Sequence, residues 1–505
     1  MSGLAAGFGA ACREDVQAML DKIAHRGPAW SGICEHQRAT LAQNYCRADM
    51  GACNEGGEVA PAGFEGESRK ICYDGQIGDG ARLADDLDIP GGPWWDERLL
   101  LHLYRLHGPD MLGFVRGAIF AFVISDGDSL LAARDVLGIK TLFYGRKNGA
   151  LYFASELKSI LAVTDDVYEF PAGHFMDGDG RLTRFADLPK SPRIADIEPT
   201  EAVREIKEII WNSVRSSVDF STPTAGLLSG GLDSSVVCCL ASRLCEDWTG
   251  GKTRLKTFAI GLGESEDIQN ARLMADHIGS EHHELIVDLD RVLEALPEVI
   301  YYLESFDPSL VRSAVSNYLI SRHAREHGID QLLSGEGGDE IFCGYTYLKD
   351  FPPEELAAEQ LKCLGYLHNN ASLRLDRMNQ CHSVRVVAPL ISGKLLDYAL
   401  HLPPEYKQKP EGDGKIEKWI FRKAYESVLP DAIAWRGKQE FSQGSGSAGV
   451  LPAHFEGAIS DEEFAHARRE HPLVRSKEEL YYFRIFAENF GTDRAVDTVG
   501  QWVSL

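Results

Sequence analysis

The chain has 505 residues and a mass of 55.8 kDa, which is too long for one compact core and predicts two or more domains. Hydrophobic residues make up 44% and charged residues 25%, so a largely disordered chain is excluded. The formal net charge is −24 with a pI near 5.1. Because such an acidic surface repels phosphate backbones, the composition argues against a nucleic-acid substrate.

The apolar runs and the cysteines indicate a cytosolic protein without a membrane span. Apolar runs such as residues 117–124 are far shorter than the roughly 20 residues that a bilayer requires. The 11 cysteines form no Cys-x-x-Cys pair and no cluster at zinc spacing. We therefore expect reduced, mostly buried cysteines in a cytosolic enzyme.

The first 190 residues are predicted to be rich in β-structure. Helices are expected at 13–23 and 96–106, before four strands at 117–125, 130–134, 138–144 and 151–154. A polar, proline-rich stretch at 191–200 then predicts a linker.

The second half alternates between helical and strand patterns. Predicted helices at 200–217, 234–244 and 267–278 alternate with predicted strands at 225–228, 256–262 and 284–287. Such a βαβα order predicts a doubly wound parallel sheet covered by helices on both faces. Beyond about residue 350 the pattern is mainly helical.

A glycine-rich turn at 227–235 separates a buried strand from a helix and carries Ser229, Gly230, Gly231, Asp233 and Ser234. Glycines let a backbone approach an anion closely, and amides at a helix N-terminus hold phosphate groups, so this turn predicts a pyrophosphate site. An aspartate beside phosphates requires a cation, for which Mg²⁺ is the usual choice. The Gly-Lys-Ser/Thr ending of a Walker loop is absent.

A second glycine-rich turn at 334–340 contains three carboxylates. They would repel one another unless a metal or an amine lay among them. We therefore predict that Asp233 and Asp339 share Mg²⁺ and that Glu336 faces the substrate.

These two turns resemble the signature loops of the asparagine synthetase B family. Further motifs resemble those of the same family and follow one another in the same order along the chain, at residues 1–4, 25–28, 134–140, 153–158, 171–174, 434–442 and 477–484. The resemblance implies an α/β protein: an N-terminal-nucleophile-hydrolase-like β-sandwich domain of the glutaminase type over 1–190, a linker over 191–200, and a doubly wound ATP pyrophosphatase domain with a helical C-terminal part over 201–505.

The resemblance also implies the chemistry. A carboxylate attacks the α-phosphate of ATP to give acyl-AMP and pyrophosphate, and an amine then displaces AMP. The implied ATP and pyrophosphate residues are Leu228, Ser229, Gly230, Gly231, Asp233, Ser234, Ile260, Gly335 and Lys438. Asp233 and Asp339 are the implied metal ligands, with Lys438, Glu336 and the position of Arg385 as catalytic candidates. The family also suggests a homodimer.

The glutamine site departs from the family pattern. Its positions are Ser2, Arg47, Asp74, Gly75, Gln76 and Asp96. Ser2 replaces the N-terminal cysteine with a weaker nucleophile, and an anionic Asp74 would repel the oxyanion that the family's asparagine stabilises. Gln76 cannot pair with the ammonium group of glutamine, so the glutaminase is predicted to be inactive, although Arg47 and Asp96 match.

The acceptor pocket departs from the family at one position, where Arg385 replaces a glutamate near the acyl-adenylate. The leading hypothesis is a ligase that joins ammonia or another amine to aspartate or a related carboxylate. An intramolecular cyclase of the β-lactam or carbapenam synthetase type is an alternative, but it carries tyrosine at the position of Glu336. A catalytically silent regulatory paralogue and a tRNA-modifying pyrophosphatase are weaker alternatives.

Overall fold

The computed structural model describes residues 2–9, 12–50, 67–78, 87, 89, 94–190, 192–438 and 447–501. It divides into two compact units. The first comprises Met1–Leu188, Leu367–Arg385 and Phe486–Gln501, and the second comprises Pro189–Tyr366 and Val386–Ile485. Two late segments of the chain therefore return to the first unit. Residues 439–442 of the motif at 434–442 lie outside the described residues.

The first unit contains two antiparallel sheets. Its strands are β1 Ser2–Phe8, β2 Trp30–His36, β3 Ala39–Tyr45, β4 Lys70–Gln76, β5 Ile119–Ser125, β6 Leu130–Arg134, β7 Phe143–Lys147, β8 Ala150–Ala154, β9 Val167–Glu169, β10 His174–Asp177 and β11 Leu182–Arg184. The orders are β2-β3-β1-β8-β7-β9 and β11-β10-β6-β5-β4. The helices are Arg13–Lys22, Arg47–Met50, Trp95–His107, Leu157–Leu161 and Ala371–Gln380.

Alternating side chains of β5 show why the two sheets form a sandwich. Ala121 and Val123 join a core that also contains residues of β1 and β8 from the other sheet. Phe120, Phe122 and Ile124 point to the opposite face, where they pack with the helix Trp95–His107. Because side chains alternate along a strand, one apolar run serves both layers. This confirms the predicted β-sandwich.

The strand predicted at 138–144 is wrong over most of its length, because strand structure begins only at Phe143. The Asp135 carboxylate accepts hydrogen bonds from the backbone N–H groups of Leu137, Ile139 and Lys140. Arg134 donates to the carbonyl oxygens of Gly138 and Lys140. Side chains thus satisfy the backbone groups that a sheet would otherwise pair.

The second unit is built on a five-stranded sheet in the order β14-β13-β12-β15-β16. Its strands are β12 Thr224–Leu227, β13 Lys256–Leu262, β14 Glu281–Val287, β15 Gln331–Leu333 and β16 Arg385–Val387, with a separate hairpin of β17 Gln408–Glu411 and β18 Gly414–Glu417. The β12/β13, β12/β15 and β13/β14 pairs are parallel. The predicted parallel sheet is confirmed.

Helices cover this sheet and form most of the later part of the unit. They are Pro199–Ser217, Leu232–Thr249, Glu266–Ile278, Leu289–Leu303, Pro308–Glu326, Gly338–Phe342, Pro353–Tyr366, Gly393–Leu400, Pro404–Lys407, Trp419–Tyr425, Asp431–Ala434, Ser447–Ala458, Asp461–Glu470 and Lys477–Phe490. The helix Pro199–Ser217 buries Ile206, Ile209, Ile210 and Val214, as its apolar spacing predicts.

Within the described residues, no helix is long and apolar enough to cross a membrane. Ten cysteines in the described part of the chain form no disulfide.

Candidate active site

The first glycine-rich turn joins β12 to the N-terminus of the helix Leu232–Thr249. Ser229 and Ser234 approach each other with their hydroxyl oxygens 3.0 Å apart, and the Gly231 N–H donates to Ser229 Oγ at 3.3 Å. Gly230 has a φ of +70°, and a Cβ there would lie 2.4 Å from Asn270 Cβ, so only glycine fits. The turn therefore presents hydroxyls and amides at the positive end of a helix, which suits a phosphate group.

The second turn follows β15, the parallel neighbour of β12, and packs directly on the first. A Cβ on Gly335 would lie 2.4 Å from Ser234 N, and one on Gly338 would lie 2.0 Å from Asp233 Oδ1. Two glycines therefore allow the loops at the carboxyl ends of neighbouring strands to touch. The structure brings together Asp233 and Asp339, as their assignment to a common metal site requires.

Two lysines lie against these carboxylates. Lys418 Nζ is 2.5 Å from Asp233 Oδ2 and 2.7 Å from Asp339 Oδ1. Lys438 Nζ is 2.6 Å from Asp339 Oδ2. The charges of two carboxylates are thus matched by two ammonium groups at the edge of the predicted phosphate cradle.

The pKa values of this cluster follow from its charges. Burial alone would raise the pKa of Asp339, but the ammonium groups of Lys418 and Lys438 outweigh burial and hold it well below its ordinary value. Burial would lower the pKa of Lys438, yet the charges of Asp339 and Asp233 raise it above its ordinary value. Asp339 is therefore ionised and Lys438 is protonated at neutral pH.

The donor set fits a magnesium ion that also binds phosphate. Asp233 Oδ1 is buried and accepts no hydrogen bond from any described residue. No group of three or more His, Cys, Asp or Glu side chains suited to a metal occurs among the described residues. Mg²⁺ is commonly bound by one or two carboxylates together with substrate phosphates, so two aspartates suffice in the presence of a nucleotide.

Glu336 and Glu340 follow in the second turn and the short helix after it. The Glu336 N–H donates to Ser334 Oγ at 3.2 Å. Glu340 is buried and accepts a 2.6 Å hydrogen bond from the Tyr345 hydroxyl. Burial, followed by the charges of Asp339 and Glu336, raises the pKa of Glu340 to about 7. Glu340 therefore loses its proton at a higher pH than an exposed glutamate does.

The segment that carries Lys438 is anchored by Arg436. The Arg436 guanidinium donates to Asp267 Oδ1 at 2.8 Å, at the start of the helix Glu266–Ile278. Burial raises the pKa of Asp267, and the charge of Arg436 acts in the opposite direction. Ile260 is a buried residue of β13, the strand beside β12.

Sequence reasoning did not single out Lys418, although it contacts both predicted metal ligands. It lies four residues after the hairpin turn that contains Gly412 and Gly414, and directly before an apolar run, and neither feature is typical of a phosphate-binding residue. It comes between β18 and the helix Trp419–Tyr425, and only the tertiary fold carries it to the turns after β12 and β15.

The predicted glutamine site lies in the first unit, where Ser2 begins β1. The Ser2 hydroxyl donates to the Tyr73 carbonyl oxygen at 2.9 Å and accepts from Gln43 Nε2 at 2.7 Å. The Ser2 N–H donates to Asp74 Oδ1 at 3.3 Å. Ser2 and Asp74 are therefore together, as the resemblance implies, and the hydroxyl is already held by two partners.

Asp74 is part of a buried ion-pair network that the sequence did not reveal. Its carboxylate lies 3.1 Å from both Arg26 and Lys140, and Asp376 lies 2.8 Å from Arg26 and 3.3 Å from Lys140. Burial would raise the pKa of Asp74, but Lys140 and Arg26 lower it below its ordinary value. Position 74 consequently carries a full negative charge beside Ser2.

Among the remaining predicted glutamine-site residues, Asp96 has two hydrogen-bond donors and a shifted pKa. Asp96 accepts hydrogen bonds from the Tyr73 hydroxyl at 2.8 Å and from the Ile77 N–H at 3.2 Å. Burial raises the pKa of Asp96 to about 6, and its hydrogen bonds and the charge of Arg385 offset part of that rise. Arg385 therefore acts electrostatically on Asp96 within the first unit.

Arg47 is exposed at the start of a short helix. Gly75 lies in β4 opposite Phe120, where a Cβ would approach Ile119 O to 2.4 Å, and Gln76 ends the strand opposite Ile119.

Comparison with known proteins gives the family. A model of the asparagine synthase family matches residues 205–362 and 352–495, and a model of the glutamine amidotransferase domain matches residues 1–176. The chain is 32% identical to a probable glutamine-hydrolysing asparagine synthetase of Schizosaccharomyces pombe, over 97% of this chain and 94% of the relative. The chain belongs to the asparagine synthetase family.

Two other family members also match over most of their length. Glutamine-hydrolysing asparagine synthetase B of Escherichia coli is 33% identical over 94% of this chain and 88% of its own length. Glutamine-hydrolysing asparagine synthetase 1 of Saccharomyces cerevisiae is 32% identical over 95% of this chain and 91% of its own length. Membership confirms the predicted family and makes the chain an ATP-dependent carbon–nitrogen ligase.

Proposed function

We propose that the chain adenylates the side-chain carboxylate of aspartate or a related acid and transfers ammonia or another amine to it, releasing AMP and pyrophosphate. One observation carries the proposal: Asp233, Asp339, Lys418 and Lys438 converge at the N-terminus of the helix Leu232–Thr249. Two anions and two cations beside helix amides suit the phosphates of ATP and the pyrophosphate that leaves.

In the activation step, a carboxylate oxygen of the substrate attacks the α-phosphorus of ATP, and the bond to the bridging oxygen of pyrophosphate breaks. The turn residues Ser229, Gly230 and Gly231 hold the departing pyrophosphate, and Lys438 neutralises its growing charge. When Mg²⁺ is bound by Asp233 and Asp339, it supplies further positive charge to the phosphate oxygens. The product is an acyl-adenylate, whose AMP is a good leaving group.

In the second step, the amine nitrogen attacks the acyl carbon and the bond to AMP breaks. The attacking nitrogen must lose a proton, and we assign its acceptance to Glu336, in the same turn as Gly335 and Asp339. A carboxylate at this position also attracts a cationic amine.

We further propose that the first unit does not hydrolyse glutamine, in contrast to the function in the names of the relatives. Asp74 is ionised between Arg26 and Lys140, so it would repel the oxyanion of a tetrahedral intermediate beside Ser2. The Ser2 hydroxyl is also less nucleophilic than a thiol. Ammonia or another amine from solution would therefore serve the second unit.

A cytosolic location agrees with the reduced state of the described cysteines, because oxidising compartments favour disulfides. We also infer a homodimer from family membership, and light scattering of the purified chain would give its mass.

Pyrophosphate release with Mg²⁺ and ATP tests the proposal. We expect release with aspartate plus ammonia, none with aspartate plus glutamine, and none from D233N. Release with a single compound and no added amine would instead indicate a cyclase. No release from any carboxylate and amine, despite nucleotide binding, would favour a regulatory paralogue and refute the proposed ligation.

A further inference from the structure

Lys418 occupies an unusual position for a lysine. Its side chain is 2% exposed and its backbone lies in the left-handed region, with φ of +55°. Residues other than glycine rarely adopt this backbone conformation, and where they do, the surrounding structure enforces it, often at a functional site. Its ammonium bridges Asp233 and Asp339 at 2.5 and 2.7 Å.

The neighbouring chain holds Lys418 in this place. The preceding residue, Glu417, pairs with Arg422 at 2.5 Å and with Lys349 at 2.6 Å. Gly344 leaves space for the lysine stem, because a Cβ there would lie 2.0 Å from Lys418 Cε. The neighbouring residues therefore fix the position of Lys418 in the cluster, and it is not a surface side chain.

The carboxylate oxygens of Asp233 and Asp339 that contact Lys418 cannot at the same time bind a divalent cation fully. Two lysines balance the two aspartates, so these two carboxylates carry little net negative charge to attract a free metal ion, and Glu336 is a further carboxylate whose charge acts on Lys438. A nucleotide changes this balance, since its phosphates bring several negative charges. The ammonium would then gain phosphate partners while the carboxylate oxygens become available to the metal.

We propose that Lys418 is a positioning residue that excludes divalent cations from Asp233 and Asp339 until a nucleotide binds, so that metal and nucleotide enter together. The inference rests on the proposed metal-binding role of these two aspartates. It predicts that the full chain binds Mn²⁺, used as a spectroscopic substitute for Mg²⁺, weakly without nucleotide and tightly with one.

The test is a titration of Mn²⁺ followed by electron paramagnetic resonance of the free ion, without nucleotide. K418M keeps the length of the side chain but removes the charge, and we expect it to bind Mn²⁺ at least tenfold more tightly than the wild type. K394M, at an exposed lysine of the helix Gly393–Leu400, should match the wild type. K418M combined with D339N should lose the gain, which would assign the metal to the aspartates.

Several results would overturn the proposal. Unchanged or weaker Mn²⁺ binding by folded K418M would remove the exclusion role, as would tight nucleotide-free binding by the wild type. If K418M folds only with Mn²⁺, the metal has replaced the lysine and the proposal is supported, whereas failure to fold with or without Mn²⁺ would leave the lysine a purely structural role and refute it. Wild-type pyrophosphate release, measured separately, decides the proposed ligation: its absence refutes that function even where the titration supports Lys418.

Discussion

Asp74→Asn should destabilise the first unit strongly, although asparagine is the residue that the family pattern has at this position. The carboxylate is fully buried and pairs with Arg26 and Lys140 at 3.1 Å each. Removal of one partner from a buried ion pair costs about 3–5 kcal/mol, because the remaining charge is left without compensation. Asp376 still contacts both cations, so we expect the lower end, about 3 kcal/mol.

Hydrogen exchange measured by mass spectrometry gives this quantity for one unit at a time. A loss of about 3 kcal/mol corresponds to roughly 100-fold faster exchange of the most protected amides in β4 and β5, whereas the sheet of the second unit serves as an internal reference. Asp187→Asn is the control, because Asp187 pairs with Arg184 at 2.7 Å on an exposed surface, where such pairs contribute about 0–1 kcal/mol.

The pH dependence supplies a second check on the charge of Asp74. Its pKa is lowered in the folded state, so its ionised form contributes stability above the ordinary value of 3.8, and this contribution is lost as the pH falls through the lower folded value. The difference between wild type and D74N should therefore be the same at pH 5 and pH 8. Exchange in D74N no faster than in D187N would refute the account of the network.

Three further predictions concern the two sites. Ser2→Ala should leave kcat/KM for ammonia-dependent pyrophosphate release unchanged, because the first unit is proposed to be silent. In the wild type, the free energy of unfolding should fall by up to about 3 kcal/mol as the pH rises from 4.5 to about 7, because folding raises the pKa of Glu340 to about 7. Glu340→Gln should abolish this fall, and urea denaturation across this pH range measures it. Arg436→Met should lower kcat about 10- to 100-fold with the fold intact, because loss of the Asp267 contact releases the segment that positions Lys438.

Each of these predictions has a distinct contrary result. A fall in ammonia-dependent turnover in S2A would show that the first domain takes part in the reaction. A slope of stability against pH that E340Q leaves unaltered would contradict the burial argument for Glu340. Unchanged kcat in R436M, with exposed Arg468→Met as the control, would show that Lys438 does not depend on the anchor.

Short-range patterns predict the parallel sheet and helices of the second unit and the high strand content of the first, whereas the β-sandwich is what the family resemblance implies. The continuous apolar run at 117–125 predicts a buried strand, which the structure places as β5, and the alternation of strands and helices from β12 onward predicts a parallel sheet. The failure at 138–144 has a local cause, since Asp135 and Arg134 take the backbone groups that a strand would have paired. Periodicity does not report such side-chain competition.

For the candidate site, the amino-acid sequence predicts the residues that lie on glycine-rich turns. The sequence predicts a metal shared by Asp233 and Asp339 because their carboxylates lie in glycine-rich turns and would repel one another without a cation, and the parallel pair β12 and β15 places both turns at one edge of the sheet. The contacts of Lys418 with both aspartates, and those of Arg26 and Lys140 with Asp74, are visible only in the folded chain. Lysines and arginines carry no local sign of their partners, because a buried ion pair depends on which distant segments the fold brings within a few ångströms.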